Sequence, residues 1–60
     1  MSPDTVITHL TQARTGDAAL AIARKYPPKM IRLVADQLHI DPDGHGVAWL
    51  RRAVVAEARS

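Results

Sequence analysis

His39, Asp41, Asp43 and His45 alternate along seven residues, and imidazole with carboxylate is a donor set that suits zinc or nickel. Alternate residues of an extended segment point to opposite sides, so these four converge only if the segment curls. Together with Pro42, Gly44 and Gly46 they also compose turn chemistry, the commoner use of Asp-Pro and Asp-Gly. A calcium loop fails on spacing. Counted from His39 its twelfth position is Leu50, and counted from Asp41 it is Arg52, where a bidentate Glu is required. The segment therefore reads as a turn, and neither metal nor cofactor is expected.

Nucleophilic chemistry finds no better footing. Ser2 and Ser60 are terminal, the threonines fall on helix faces, and His9 falls on the polar face of its helix. Gly44-His45-Gly46 lacks the Lys and the spacing of a phosphate-binding P-loop. The chain has no Cys, which excludes disulfides, thiolate ligands and thiol catalysis and fits a reducing compartment. Sixty residues also give little material for a water-excluded cleft, so the expectation is a protein that is not an enzyme.

The basic residues carry more information. Arg24, Lys25, Lys29 and Arg32 fall within nine residues that contain no acid. They suit phosphate contacts, although Arg24 and Lys25 also complement the negative end of a helix and any such cluster can simply be solvated. Arg51 and Arg52 form a second pair, beside the amides of Gly46, Val47 and Ala48, which open a helix and so favour an anion. Asp41 and Asp43 precede that point and oppose it. Trp49, the only Trp, is either a cap on the core or an exposed anchor for a protein partner. Leu33 and Val55 lie off the main apolar stripes and are the residues that would join it in an exposed patch.

Four helices are needed to place these groups. Ser2-Pro3-Asp4 is a start signal, and Val6, Ile7, Leu10 and Ala13 follow at helical spacing, giving a helix over about 3–14. At Thr15-Gly16-Asp17 the expected break has Gly16 in the left-handed conformation and Asp17 as the next cap; the alternative is one continuous helix, since a single Gly costs only about 1 kcal/mol. The second helix spans about 17–26, with Ala19, Leu20, Ile22, Ala23 and Tyr26 inward, and Pro27-Pro28 ends it. The third spans about 28–39 on Met30, Ile31, Val34, Ala35 and Leu38. Ile40 anchors the loop that follows. The fourth spans about 47–59, with Val47, Leu50, Val54 and Ala58 as its core stripe and Arg51, Val55 and Arg59 on another face. The expected fold is all-α: one domain over 1–60, a compact bundle of four short helices, the last two forming a helix–extended loop–helix unit.

Composition sets the limits. Apolar residues make up 47% of the chain, but much of that is Ala and there is no Phe, so the core is thin. A homodimer or a larger partner that completes the core follows as one way to stabilise it. The net charge of +2 permits nucleic acid without demanding it. No apolar run is long enough to span a bilayer, and the opening residues lack the basic region and apolar core of a signal peptide, so the expected location is cytoplasmic, with no membrane partner. Met1 reads as the start of a whole small gene product, an excised domain being the other reading.

Ile31 to Ile40, the Asp-Gly-His-Gly loop, and Trp49-Leu50-Arg51-Arg52-Ala53-Val54-Val55 together resemble the helix–extended loop–helix unit of SAP domains and of the Rho N-terminal domain-like family. The resemblance covers about residues 30–58. It implies that Leu33, Leu38 and Ile40 take the first-helix and corner core places, that Gly44 or Gly46 is the loop glycine, and that Leu50 and Val54 are the second-helix core. It also implies nucleic-acid binding through the loop and the start of the second helix. There the family commonly carries Lys or Ser-Lys, whereas this chain has His45-Gly46-Val47-Ala48, with Arg51 and Arg52 as the nearby positive charge.

Two functions follow as expectations. The first is a small non-catalytic DNA- or RNA-binding protein, of the kind a phage or mobile element carries, gripping phosphates with Arg24, Lys25, Lys29 and Arg32 and with Arg51 and Arg52. The second is a helical protein–protein interaction module, a homodimer or adaptor, that uses Leu33, Trp49 and Val55.

Overall fold

A computed structural model describes residues 2–60; Met1, and with it the reading of a gene-product start, lies outside the described residues. The chain forms α1 (Pro3–Gln12), α2 (Gly16–Ala23), α3 (Pro28–Gln37) and α4 (Val47–Ala58), with no strand among the described residues.

Each helix starts where its local chemistry directs. Ser2 caps α1, its hydroxyl accepting from the Thr5 amide, with Pro3 at the first helical position and Asp4 in the first turn. The break after α1 is real, but Gly16 does not make it. Thr15 is the cap: its hydroxyl accepts from the Ala18 amide at 3.0 Å, and Gly16 is the first residue of α2. A Thr side chain satisfies an amide that Gly16 cannot, so the helix opens two residues earlier than a cap at Asp17 would allow. Pro27 and Pro28 separate α2 from α3, and Gly46 opens α4.

The end of α3 is a Schellman turn without its usual glycine. The His39 amide donates to the Asp36 carbonyl and the Ile40 amide to the Ala35 carbonyl, and His39 sits at φ 60. This left-handed residue explains why α3 stops at Gln37 rather than at 39. The turn directs Ile40 back onto the core, where it packs partly buried. The loop then folds locally: Asp41 Oδ1 accepts from the Asp43 amide, and the His45 amide donates to the Pro42 carbonyl around Gly44 at φ 79.

The core closes within one chain. Val6 and Leu10 of α1, Ala19 and Ala23 of α2, Ile31, Val34 and Ala35 of α3, and Leu50, Val54 and Val55 of α4 are all buried. Val55 corrects the sequence-based expectation of an exposed patch, being only 7% exposed. The 51-55-59 face of α4 packs against the chain instead of facing water, so the buried stripe of α4 is broader than its central residues indicate. The helices are so arranged that α1 and α4 each contact the other three, while α2 and α3, though consecutive, barely touch.

Candidate functional site

Arg51 of α4 and Arg59 at its C-cap tie the helices together from the edge of the bundle. Arg51 donates from Nε to the Ala23 carbonyl at 3.3 Å and from Nη2 to the Tyr26 carbonyl at 2.9 Å. Arg59 donates from Nη1 to the Leu10 carbonyl at 3.0 Å and the Ala13 carbonyl at 2.7 Å. Both serve the carbonyl ends of other helices, where terminal C=O groups lack intrahelical partners and carry partial negative charge. Arg51 is half-buried in doing so. It therefore stands apart from the other cations expected to grip phosphate, because its guanidinium is directed into the fold.

The same contact fixes the geometry of the basic corner. Because Arg51 reaches Ala23 and Tyr26, the first turns of α4 sit at the end of α2, where the chain turns through Pro27 into α3. Arg24 and Lys25 leave α2 at that corner, Lys29 lies in the first turn of α3, and Arg32 lies one turn further on. All four side chains are exposed. Asp36, also exposed, is the acid that follows Arg32 by one helical turn. Tyr26, at the centre of the corner, is held by its hydroxyl 2.7 Å from His9 Nδ1 on α1.

The helix starts differ in a way that bears on anions. Ser2 and Thr15 cap α1 and α2, and each of these helices carries an Asp in its first turn. Neither α3 nor α4 has a side-chain cap or an acid in its first turn. The first amides of α3 and α4 thus remain open to solvent or to a ligand. At α3 Pro27 and Pro28 carry no N–H, so the open amides are those of Lys29 and Met30; at α4 they lie between His45 and Arg52.

Among the described residues Trp49 and Leu33 are the two large exposed apolar side chains, at 42% and 46%. The SAP-like register placed Leu33 in the core, and the structure places it outside. It lies one turn from Lys29 on the face of α3 opposite Ile31, Val34 and Ala35. Leu38 and Ile40 are partly buried, and Leu50 and Val54 are core, as that register has them. Trp49 is not in the core either. Its ring stacks on His45, with centroids 3.6 Å apart and planes 10° from parallel.

Arg52 is exposed and lines an open groove between α2 and α4, of about 330 Å³, with Gly16, Leu20, Val55, Ala56 and Arg59. His39, Asp41, Asp43 and His45 are all exposed, and no three His, Asp or Glu side chains among the described residues come close enough to share a metal ion. No helix is long and apolar enough to cross a membrane among the described residues.

Sequence reasoning missed the carbonyl contacts of Arg51 and Arg59. Their signal was the four-residue spacing on either side of Val55, which marks the edge of a buried face. In comparison with known proteins, the chain matches no family model, no curated protein and no solved structure.

Proposed function

We propose that this chain is a small non-catalytic nucleic-acid-binding protein that grips phosphates at the corner between α2 and α3. The observation that carries this reading is the corner itself. Arg24, Lys25, Lys29 and Arg32 are exposed on both sides of an uncapped helix start that has no acid in its first turn. Lys and Arg beside open amides form a site for a phosphate oxygen, in which charge and directed N–H groups act together. Arg52 adds a cation on the flank of α4, while Arg51 supports the corner from within. The family resemblance of residues 30–58 points to the same class of ligand, with the grip moved from the loop to the α2–α3 corner.

Anisotropy titration of a labelled short duplex DNA tests it. Binding should weaken steeply with salt, and Lys29→Glu with Arg32→Glu should abolish it at moderate salt while the helical circular dichroism stays unchanged. Absence of binding at low salt to a duplex and to a single strand alike would reject the reading.

The second reading, a protein-interaction module, is favoured by the exposure of Leu33 and Trp49. It now lacks Val55, which is buried. Under it, Trp49→Ala would remove partner binding or self-association while Lys29→Glu and Arg32→Glu left both intact.

A further inference from the structure

Trp49 and His45 are both exposed, and their rings lie parallel at the thickness of one aromatic layer. A Trp on a helix surface ordinarily lies along the neighbouring side chains. Here it is paired with a ring from the residue before the α4 cap, so the two together stand as a short surface stack. Arg52 follows Trp49 by one turn on the exposed side of α4, and the open amides of Val47 and Ala48 lie between the two rings in sequence. The nearby acids are Asp41 and Asp43. Asp41 turns one carboxylate oxygen onto the Asp43 amide, which orients it within its own loop.

We propose that the His45–Trp49 stack is a platform for an unpaired nucleobase, with Arg52 holding the adjoining phosphate. This rests on the nucleic-acid reading and specifies its substrate as a single strand. The reason is geometric. A base in a duplex has both faces covered by its neighbours and shows only its edges. A base in a single strand can offer a face, and every base has one, so stacking on an aromatic side chain recruits single strands with little sequence preference. An existing two-ring stack is pre-ordered for a third ring, because the indole is already held in one orientation by His45. The basic corner, which Arg51 ties to α4 from the face opposite Trp49, is a second contact for the strand's phosphates.

The test uses the single Trp as its own probe. Short oligothymidylate and oligouridylate, and a short duplex DNA for comparison, are titrated into the whole chain while Trp49 fluorescence and the anisotropy of labelled strands are followed. The expected result is quenching by the single strands. Trp49→Leu should lower single-strand affinity about ten-fold or more and duplex affinity little. Trp49 lies outside the core cluster, so this variant keeps the fold, which circular dichroism checks. Loss in Lys29→Glu should extend to both kinds of strand. Binding of single strands without quenching and without loss in Trp49→Leu would overturn the platform and leave the phosphate corner standing. Binding to neither strand would overturn both. A concentration-dependent dimer that Trp49→Leu dissociates would place the ring in a protein interface and overturn the platform as well.

Discussion

Arg51 and Arg52 are adjacent in sequence, carry the same charge, and should fail in opposite ways. Arg51→Met keeps an aliphatic stem but removes two charge-assisted hydrogen bonds to the Ala23 and Tyr26 carbonyls. A hydrogen bond to a charged group contributes about 1.5–3 kcal/mol, and a cation at a helix C-terminus about 0.3–1 kcal/mol. The first bond is long at 3.3 Å and adds little, and the site is only half-buried, so one bond and the helix-end charge at the lower ends of their ranges give a loss of about 2 kcal/mol. A domain of this size holds roughly 3–9 kcal/mol in all, and each kcal/mol moves its melting point by about 4–8 °C. Arg51→Met should therefore lower Tm by about 8–16 °C. Arg52→Met removes an exposed side chain and should change stability by less than about 0.5 kcal/mol. On nucleic acid the order reverses: Arg52→Met should reduce the slope of log K against log salt by about 0.9 on a duplex, or 0.7 on a single strand, while Arg51→Met at a temperature where it is folded leaves the slope unchanged. Thermal unfolding by circular dichroism and salt-dependent anisotropy read the two effects separately. Equal Tm values for the two variants would refute the capping role of Arg51, and a reduced slope in Arg51→Met would return it to the phosphate-contacting set.

Two further outcomes follow from the fold. His39→Gly should stabilise, because a left-handed non-glycine residue costs about 1–2 kcal/mol and the added entropy of an unfolded Gly returns only about 0.5–1; a Tm rise of about 5 °C in the unfolding curve is expected, and a fall would show that His39 contributes more than its backbone position. Leu50→Ala should cost about 2–5 kcal/mol, a large fraction of the roughly 3–9 kcal/mol available, since Leu50 is 1% exposed and among the few large side chains in the core; urea melts showing a loss under 1 kcal/mol would mean the α3–α4 packing can collapse around the cavity.

What the sequence conveyed well was the centre of each buried face and the residues that punctuate the chain. Val6 with Leu10, Ile31 with Val34 and Ala35, and Leu50 with Val54 lie at helical spacing and are core, and Pro27-Pro28 and the Asp-Pro-Asp-Gly segment separate the helices as their turn chemistry requires. The edges of those faces were harder to read. Val55 sits at the margin of the α4 stripe, and whether a marginal residue is covered depends on which neighbour packs beside it, here α2. Leu33 shows the converse, since a Leu on a helix can be assigned to a core only by a register, and the register borrowed from a similar unit placed it wrongly. Arg51 and Arg59 were legible as positive charge but not as carbonyl donors, because their partners are 25 to 49 residues away in sequence. The first three helix ends ran two or three residues long, α3 because His39 occupies a left-handed position where Gly is the usual signal, and the start of α2 was misplaced because Thr15, not Asp17, supplies the cap.

The charge that remains after the fold has used its share limits how this protein can bind. Of eight Lys and Arg, Arg51 and Arg59 are directed into carbonyls, which leaves six cations against six acids, all exposed. The outer surface is then close to neutral as a whole, and long-range attraction of a polyanion is weak. Binding has to come from local segregation of charge, and the corner from Arg24 to Arg32 provides it, with four cations and no acid. Four phosphate contacts give a slope near −3.6 on a duplex, so affinity should fall roughly 150-fold between 50 and 200 mM salt. A purely electrostatic grip of that size would be feeble at physiological salt. A useful affinity therefore needs a component that salt does not screen, and the exposed His45–Trp49 stack is the surface feature suited to supply it. If so, the salt-insensitive part of single-strand binding should disappear with Trp49→Leu while the slope stays as it was; a changed slope with an unchanged salt-insensitive part would assign the nonelectrostatic affinity to another part of the molecule.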